Sequence, residues 1–458
     1  MLLKHTPQEI VERKALTINA AKTCQPVGAM YAALGVHNCM SHSHGSQGCC
    51  AYHRSSLTRH YNDPIMATTS SFSEGASVFG GASNLNEAIR NIFTLYDPDI
   101  IAVHTTCLSE VIGDDLVQII KNAYKDGRIP QGKIVLHTNT PSFKGSHVTG
   151  FSNMTTSFIS YLTKSTGKKN DTVNIIPSFI EPSDMSEIKY IMSELGIKYI
   201  MLPDTSDVVN GPMDGKFRMY PKGGTTKEQI AAMGDSKLSV GLGVIGASDA
   251  PKLLNSKFKI PMEIVDLPIG LSATDAFVNR MHVLCGAPVP ESIDLERGQL
   301  LDAMMDKNQY LSGKKVSIVG DPDIVLGMCQ FCKENDMNVI HVISGTPTPK
   351  HWEDRLAEIC GPGTYIKTGE GADMFLLHQL IKNDKPDLLF GNTYAKEIAR
   401  DEDIPLIRIG YPIYDRFGQQ YMPVMGYRGG MRLFCRVLDA ILDRQDRDCN
   451  DEEFEFIM

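Results

Sequence analysis

Short, mainly apolar runs recur along this chain, some of them interrupted by one polar residue. Ile100-Ile101-Ala102-Val103 is one and Ile134-Val135-Leu136 the next. Val173 to Ile176, Tyr199 to Leu202, Val316 to Val319, Val339 to Ile343, Leu388 to Phe390 and Leu406 to Ile409 follow. A strand facing water on one side alternates apolar with polar residues, whereas a strand that is apolar throughout is buried on both faces. Helices must then cover both faces, and helical spacing fills the intervals. Leu85, Ala88, Ile89, Ile92 and Phe93 keep it, and so do Leu116 to Ala123, Met185 to Leu195, Ser292 to Leu311 and Ile324 to Cys332. The alternation predicts an α/β chain of three doubly wound domains with parallel sheets, over 1–168, 169–290 and 291–458. Pro98-Asp99-Ile100-Ile101 and Pro386-Asp387-Leu388-Leu389 look alike, as repeated units would. At the start, Thr6-Pro7-Gln8-Glu9 predicts a helix opening, with Thr as cap and Pro in the first turn.

Lys and Arg number 45 against 54 Asp and Glu, a net charge of −9, and no stretch is strongly basic. That argues against nucleic acid as a partner. The opening MLLKHTPQEI has no apolar core for export, and runs such as Leu238 to Ala247 are too short to span a bilayer. A cytoplasmic protein with no membrane partner is expected. Eleven cysteines are too sparse for a disulfide scaffold in 458 residues. In a reducing compartment, thiolate chemistry or simple burial accounts for them.

One stretch concentrates chemistry: His44-Gly45-Ser46-Gln47-Gly48-Cys49-Cys50. Its glycines let backbone approach a ligand closely. Ala51 to His60 reads as a helix, so Cys49 lies near a helix N-terminus, where the macrodipole favours a thiolate. Cys24 stands just ahead of a helix running from Pro26 to Leu34. Cys107 and Ser142 follow the carboxyl ends of two strands, where ligands sit in open parallel sheets. Cys24, Cys49 and Cys107 suit iron-sulfur or zinc ligation, but no C-x2-C spacing links them and a lone cubane takes four thiolates. Either the site is open or a second protein completes it.

Other motifs read more simply. Gly241-Leu242-Gly243-Val244-Ile245-Gly246 matches the dinucleotide fingerprint, yet no acidic residue ends a following strand, so a glycine-rich turn without NAD is expected. Cys329-Gln330-Phe331-Cys332 falls well inside a helix, where two core-facing thiols are expected rather than a redox pair. Asp302 and Asp306, four apart, are either solvated or share a cation, and solvation is the simpler reading. Asp451-Glu452-Glu453 reads as a solvated end.

Several of these residues together resemble the beta subunit of nitrogenase component 1, of the molybdenum type. They are Thr23-Cys24-Gln25-Pro26, the His44 to Cys49 stretch, Thr105-Thr106-Cys107 with Gly113-Asp114-Asp115, and Thr140-Pro141-Ser142-Phe143 with Gly145 to Gly150. The likeness continues through Glu296-Arg297-Gly298, Gly320-Asp321-Pro322-Asp323 and Arg408-Ile409-Gly410-Tyr411-Pro412. It implies three Rossmann-like domains and an alpha2-beta2 heterotetramer with an 8Fe-7S P-cluster at each alpha-beta interface. Cys24, Cys49 and Cys107 would be ligands, with Ser142 binding the oxidised cluster, Ser46 and Gly48 supporting it, and the alpha subunit adding its own cysteines. Cys49 rather than the adjacent Cys50 is the ligand by motif. The iron-molybdenum cofactor, where dinitrogen is reduced, would lie in the alpha subunit, so no residue here touches substrate. Tyr52 would stand on the electron path, and Phe79 where an iron protein homodimer docks with MgATP. Asp302 and Asp306, with Asp63, would hold a calcium or iron cation between beta subunits. The implied activity is ATP-dependent reduction of N2 by relayed electrons. Alternatives within the superfamily are a scaffold subunit for cofactor assembly, a light-independent protochlorophyllide reductase subunit, and a vanadium or iron-only nitrogenase beta chain. The intact Thr-Pro-Ser-Phe and His44 to Cys49 motifs favour the electron-transfer subunit. The N-terminus is shorter than in longer relatives, which would remove an arm around the alpha chain.

Overall fold

The computed structural model describes residues 5–454 apart from 12, 14, 15, 214 and 217; the opening residues 1–4 lie outside the described residues. Three wholly parallel sheets organise it. The first, ordered β2-β1-β3-β4, comprises Cys39–His44 (β1), Thr68–Thr69 (β2), Ile100–Thr105 (β3) and Ile134–Thr138 (β4). The second, β6-β5-β7-β8, comprises Val173–Pro177 (β5), Tyr199–Met201 (β6), Leu238–Leu242 (β7) and Met262–Val265 (β8). Lys315–Val319 (β9), Asn338–Ser344 (β10), Tyr365–Thr368 (β11), Leu388–Gly391 (β12) and Leu406–Arg408 (β13) form the third, ordered β11-β10-β9-β12-β13. Helices cover the faces, as strands buried on both sides require. One continuous apolar core extends from Val27 to Ile441.

The strand nearest the chemistry, β1, carries no apolar run. Its residues, Cys-Met-Ser-His-Ser-His, are nevertheless all buried. Its histidines and Ser43 find partners on neighbouring segments, while the Ser41 hydroxyl has none among the described residues. His42 shares hydrogen bonds with Thr68 (2.9 Å) and Ser70 (2.8 Å), and Ser43 with His104 (2.7 Å). Burial lowers the His42 pKa to about 3 and moves His104 the same way, so both rings are neutral at ordinary pH. Neutral and paired, they occupy positions usually filled by Val or Ile.

The expected helix at Thr6 to Glu9 is absent: these residues form no helical turn. Their carbonyls are taken by side chains of the Met374–Asn383 helix instead. Lys382 Nζ donates to the Thr6 carbonyl (2.8 Å), Gln379 to that of Glu9 (2.5 Å) and Asn383 to that of Gln8 (2.8 Å). Tertiary donors have replaced the helical ones.

Two contacts fix the relation of the sheets. The Gln25–Leu34 helix lies on the His147–Leu162 helix so closely that a Cβ on Gly28 would stand 1.7 Å from the His147 carbonyl oxygen, and one on Gly150 1.9 Å from that of Gln25. The second involves the glycine-rich turn after β7. It does connect a strand to a helix, Asp249–Phe258, as a dinucleotide site would. But the amides of Ile245 and Gly246 donate to the Asp323 carboxylate (2.9 and 2.8 Å), and Ser178 Oγ adds a third bond (2.8 Å). The chain's own anion sits where a pyrophosphate would bind.

Two outcomes follow from this packing. Gly28→Ala should destabilise the protein by at least about 3 kcal/mol in urea unfolding, since backbone cannot yield to the new methyl. Asp184, in the Pro182–Glu194 helix, accepts from the amides of Val424 (2.8 Å) and Met425 (3.2 Å), and burial raises its carboxyl from 3.8 to about 7. The native state therefore holds this proton between about pH 4 and 7 where the unfolded chain has lost it, so stability falls as pH rises through that window. Asp184→Asn keeps an acceptor and removes the titration. Relative to the variant, the parent protein should lose on the order of 3 kcal/mol between those pH values.

Candidate functional site

Strands β1 and β3 are neighbours in register, His44 opposite Thr105, so the residues after them emerge side by side. After β1, Ser46 is the N-cap residue of the Gln47–Tyr61 helix, which puts Cys49 in the first turn. After β3, Cys107 opens the Cys107–Ile112 helix. Cys24 is the N-cap residue of the Gln25–Leu34 helix. The Cys49 thiol lies within hydrogen-bonding reach of Cys107 and of the Ser46 hydroxyl, and the Cys24 sulfur is close enough to act on it electrostatically. All three cysteines are half-buried and free.

Backbone and small side chains lock this arrangement. The Thr106 amide and the Ser109 hydroxyl both donate to the His44 carbonyl (3.0 and 2.7 Å). Gly45 has a φ of 141°, and a Cβ there would meet Thr106 Oγ1 at 1.9 Å. Gly48 differs: an added Cβ would meet nothing nearer than Ser46 Oγ at 3.7 Å. Packing within the chain does not require glycine at 48, and the space beside Cys49 stays open.

The fourth motif is held by the first and third. Thr140 donates its amide to Thr105 Oγ1 and its hydroxyl to the Thr105 carbonyl, both at 2.6 Å. Gln25 Nε2 reaches the carbonyls of Pro141 (3.1 Å) and Lys144 (2.6 Å), clamping the turn that carries Ser142. Lys22 Nζ holds the Gly145 carbonyl (2.7 Å), and the His147 amide donates to that of Thr23 (3.1 Å). Ser142 itself makes no hydrogen bond among the described residues and is partly exposed. The clamping role of Gln25 was not anticipated. Its signal in the sequence is an amide side chain directly after the cysteine cap.

Charge at the site departs from expectation. A thiolate favoured by the helix N-terminus was predicted, yet the Cys49 pKa is raised, first by burial and then by the Cys107 and Cys24 sulfurs, against the Ser46 hydrogen bond. The two neighbouring sulfurs oppose ionisation of Cys49 until a cation joins them. Beneath them, His44 is bonded to Ser70 (2.8 Å) and Asp114 (3.0 Å), and burial lowers its pKa despite that carboxylate.

The adjacent Cys50 turns away. It is buried, and its Sγ lies 3.5 Å from the Thr68 carbonyl. Tyr52, one turn beyond, is 79 % exposed, and Phe79, closing the Glu74–Phe79 helix, is 90 % exposed. Val78, Val111 and Phe143 are exposed too. Asp302 and Asp306 lie exposed on the Glu291–Leu311 helix, and no described contact joins Asp63 to either. Asp63 instead follows the Cys49 helix, half-buried, its carboxyl pushed up by desolvation. Cys329 and Cys332 are wholly buried in the Pro322–Glu334 helix. Asp451 and Glu452 are exposed in a short terminal helix. Among the described residues, no three His, Cys, Asp or Glu side chains form a cage for a single ion, and no helix is long and apolar enough to cross a membrane.

Known proteins share this plan. The family described as nitrogenase component 1 type oxidoreductases matches residues 24–442. The nitrogenase molybdenum-iron protein beta chain of Clostridium pasteurianum is 52% identical over the full length of both chains. That of Azotobacter vinelandii is 39% identical over 95% of this chain and 86% of its own. A solved structure titled nitrogenase Cp1 at pH 6.5 superposes with a TM-score of 0.97 at 52% identity, covering 100% of each chain. A chain of nitrogenase Cp1 at pH 5 has the same fold at 16% identity, with a TM-score of 0.71 over 97% of this chain.

The Gln25 clamp is testable directly. Gln25→Leu should cost about 1–3 kcal/mol by stranding two partly buried carbonyls. Amide exchange across residues 142–145 should rise while that in β3 does not.

Proposed function

This chain belongs to the nitrogenase component 1 type oxidoreductases, and on that footing we propose that it is the beta subunit of a molybdenum-iron dinitrogenase. The observation that carries the reading is the convergence of Cys24, Cys49 and Cys107 at three helix starts, beside the clamped turn of Ser142. The donor set suits an iron-sulfur cluster. Three soft thiol ligands share an open face, Gly48 leaves room beside one of them, and Ser142 offers a hydroxyl with no other partner. Three thiolates leave such a cluster incomplete, so cysteines of an alpha subunit supply the rest. When bound, an 8Fe-7S P-cluster supplies storage and relay of electrons between an iron protein and the iron-molybdenum cofactor of the alpha subunit.

The chain's own residues set the conditions for that relay. Thiolates of Cys24, Cys49 and Cys107 would hold iron of such a cluster, and the hard oxygen of Ser142 would favour its more oxidised form. The Gln25 clamp keeps that oxygen within reach. Neutral His42 and His104 behind β1 add no positive charge to the site. Exposed Phe79 and Val78 offer an apolar surface for the iron protein, driven by MgATP, and Tyr52 stands between the thiols and the alpha subunit. The assembly is an alpha2-beta2 heterotetramer in the cytoplasm, and Asp302 and Asp306 of one beta subunit, with Asp63 of the other, hold a cation between them.

Metal analysis of the complex purified without oxygen tests the whole. Iron with molybdenum, in a tetramer with a partner of similar size, is expected; absence of iron would overturn the reading. Cys107→Ala should abolish the P-cluster signals and substrate reduction. Ser142→Ala should leave the dithionite-reduced cluster intact and change its oxidised spectra, and loss of the reduced cluster as well would remove Ser142 from its role.

A further inference from the structure

At the carboxyl ends of β5 and β13, a cavity of about 410 Å³ lies between the second and third sheets. Parallel sheets bind ligands at such ends, yet none of the thiols described above lines it. Its walls mix apolar side chains, among them Phe179, Ile324 and Ile409, with guanidinium groups. Arg408 and Arg416 are two of them, and Arg432 and Arg436 come from the Gly426–Asp448 helix, where arginines recur at 428, 432 and 436.

The three are treated differently. Arg428 is bonded by two nitrogens to Glu187 and stacks 3.6 Å from the centre of the Tyr190 ring. Further along, Arg444 and Arg447 pair with Asp403. Arg432 and Arg436, which line the cavity, form no ion pair among the described residues, although the Asp184 carboxyl is near enough to act on Arg432. Arg432 reaches only the carbonyls of Met422 and Pro423, and Arg436 only that of Arg408 (3.1 Å). Burial, with Arg432 and Arg408 nearby, lowers the Arg436 pKa to about 10. Two like charges at i,i+4 on one helix, partly desolvated and unpaired, are costly unless an anion joins them.

The acids around the cavity are otherwise engaged or exposed. Glu181 is bonded to His60 through Oε1 alone (2.9 Å), Asp184 to the amides of Val424 and Met425, and Asp415 to Arg408 (2.7 Å). Asp439 and Asp443 are exposed farther along the helix. We propose that this cavity binds a small organic carboxylate, its head on the Arg432 and Arg436 guanidiniums and its body against the apolar wall. A guanidinium fork matches a carboxylate with two parallel hydrogen bonds, and the volume falls in the range of small-molecule pockets. The inference stands on this chain's side chains alone and does not depend on the cluster reading.

Calorimetric titration of the purified complex with succinate, at low ionic strength, tests it. Saturable binding is expected, weakened about tenfold or more by Arg436→Met and by Arg432→Met, with iron content and unfolding temperature retained. Two variants guard against one failing to fold. Lack of saturation by about 10 mM succinate, equal binding by both variants, or binding of inorganic phosphate but not succinate would each overturn the proposal.

Discussion

At Gly28 and Gly150 two helices approach until backbone touches backbone, with no side chain between them. Everything at the thiol face depends on that approach. It brings Cys24, at the end of one helix, to the turn that opens the other, and gives Gln25 the reach to hold Pro141 and Lys144. The sheet contributes the other half, because parallel strands in register deliver Cys49 and Cys107 at adjacent edges. Rigid elements therefore carry every candidate ligand except Ser142, and the turn of Ser142 is pinned from both sides. Such support is what lets a site keep its geometry while the charge within it changes.

The sequence spoke plainly wherever one physical force acted alone. Mainly apolar runs announced β3, β4, β5 and β9, because burial on both faces favours that composition. It spoke poorly where polar groups satisfy one another inside. The Ser and His residues of β1 look like a loop until Thr68, Ser70 and His104 are placed opposite them. Thr6 to Glu9 failed for a related reason, since the competing donors come from residues 379, 382 and 383, remote in the chain. The site shows the same division. Each cysteine could be placed at a helix start from its neighbours, but that the three meet came only from family resemblance and then from the fold. The clamp by Gln25 acts on a turn more than a hundred residues away, which no local pattern reveals.

Local rules also misjudged charge. A helix N-terminus favours a thiolate when nothing else is near, but burial and two further sulfurs outweigh that field at Cys49. The same competition, read in reverse, separates the arginines of the Gly426–Asp448 helix. Arg428 has its counter-charge within the chain, and Arg436 has none among the described residues.

The Asp323 carboxylate in the glycine-rich turn has a consequence for how the second and third domains hold together. In a dinucleotide-binding fold the anion is a free ligand, so occupancy depends on its concentration and lapses when it leaves. Here the anion is tethered by the polypeptide, and its effective concentration at the Ile245 and Gly246 amides is set by chain geometry. A binding site has become an internal latch, permanently saturated. The amides of this turn then contribute to cohesion between the two sheets rather than to ligand chemistry.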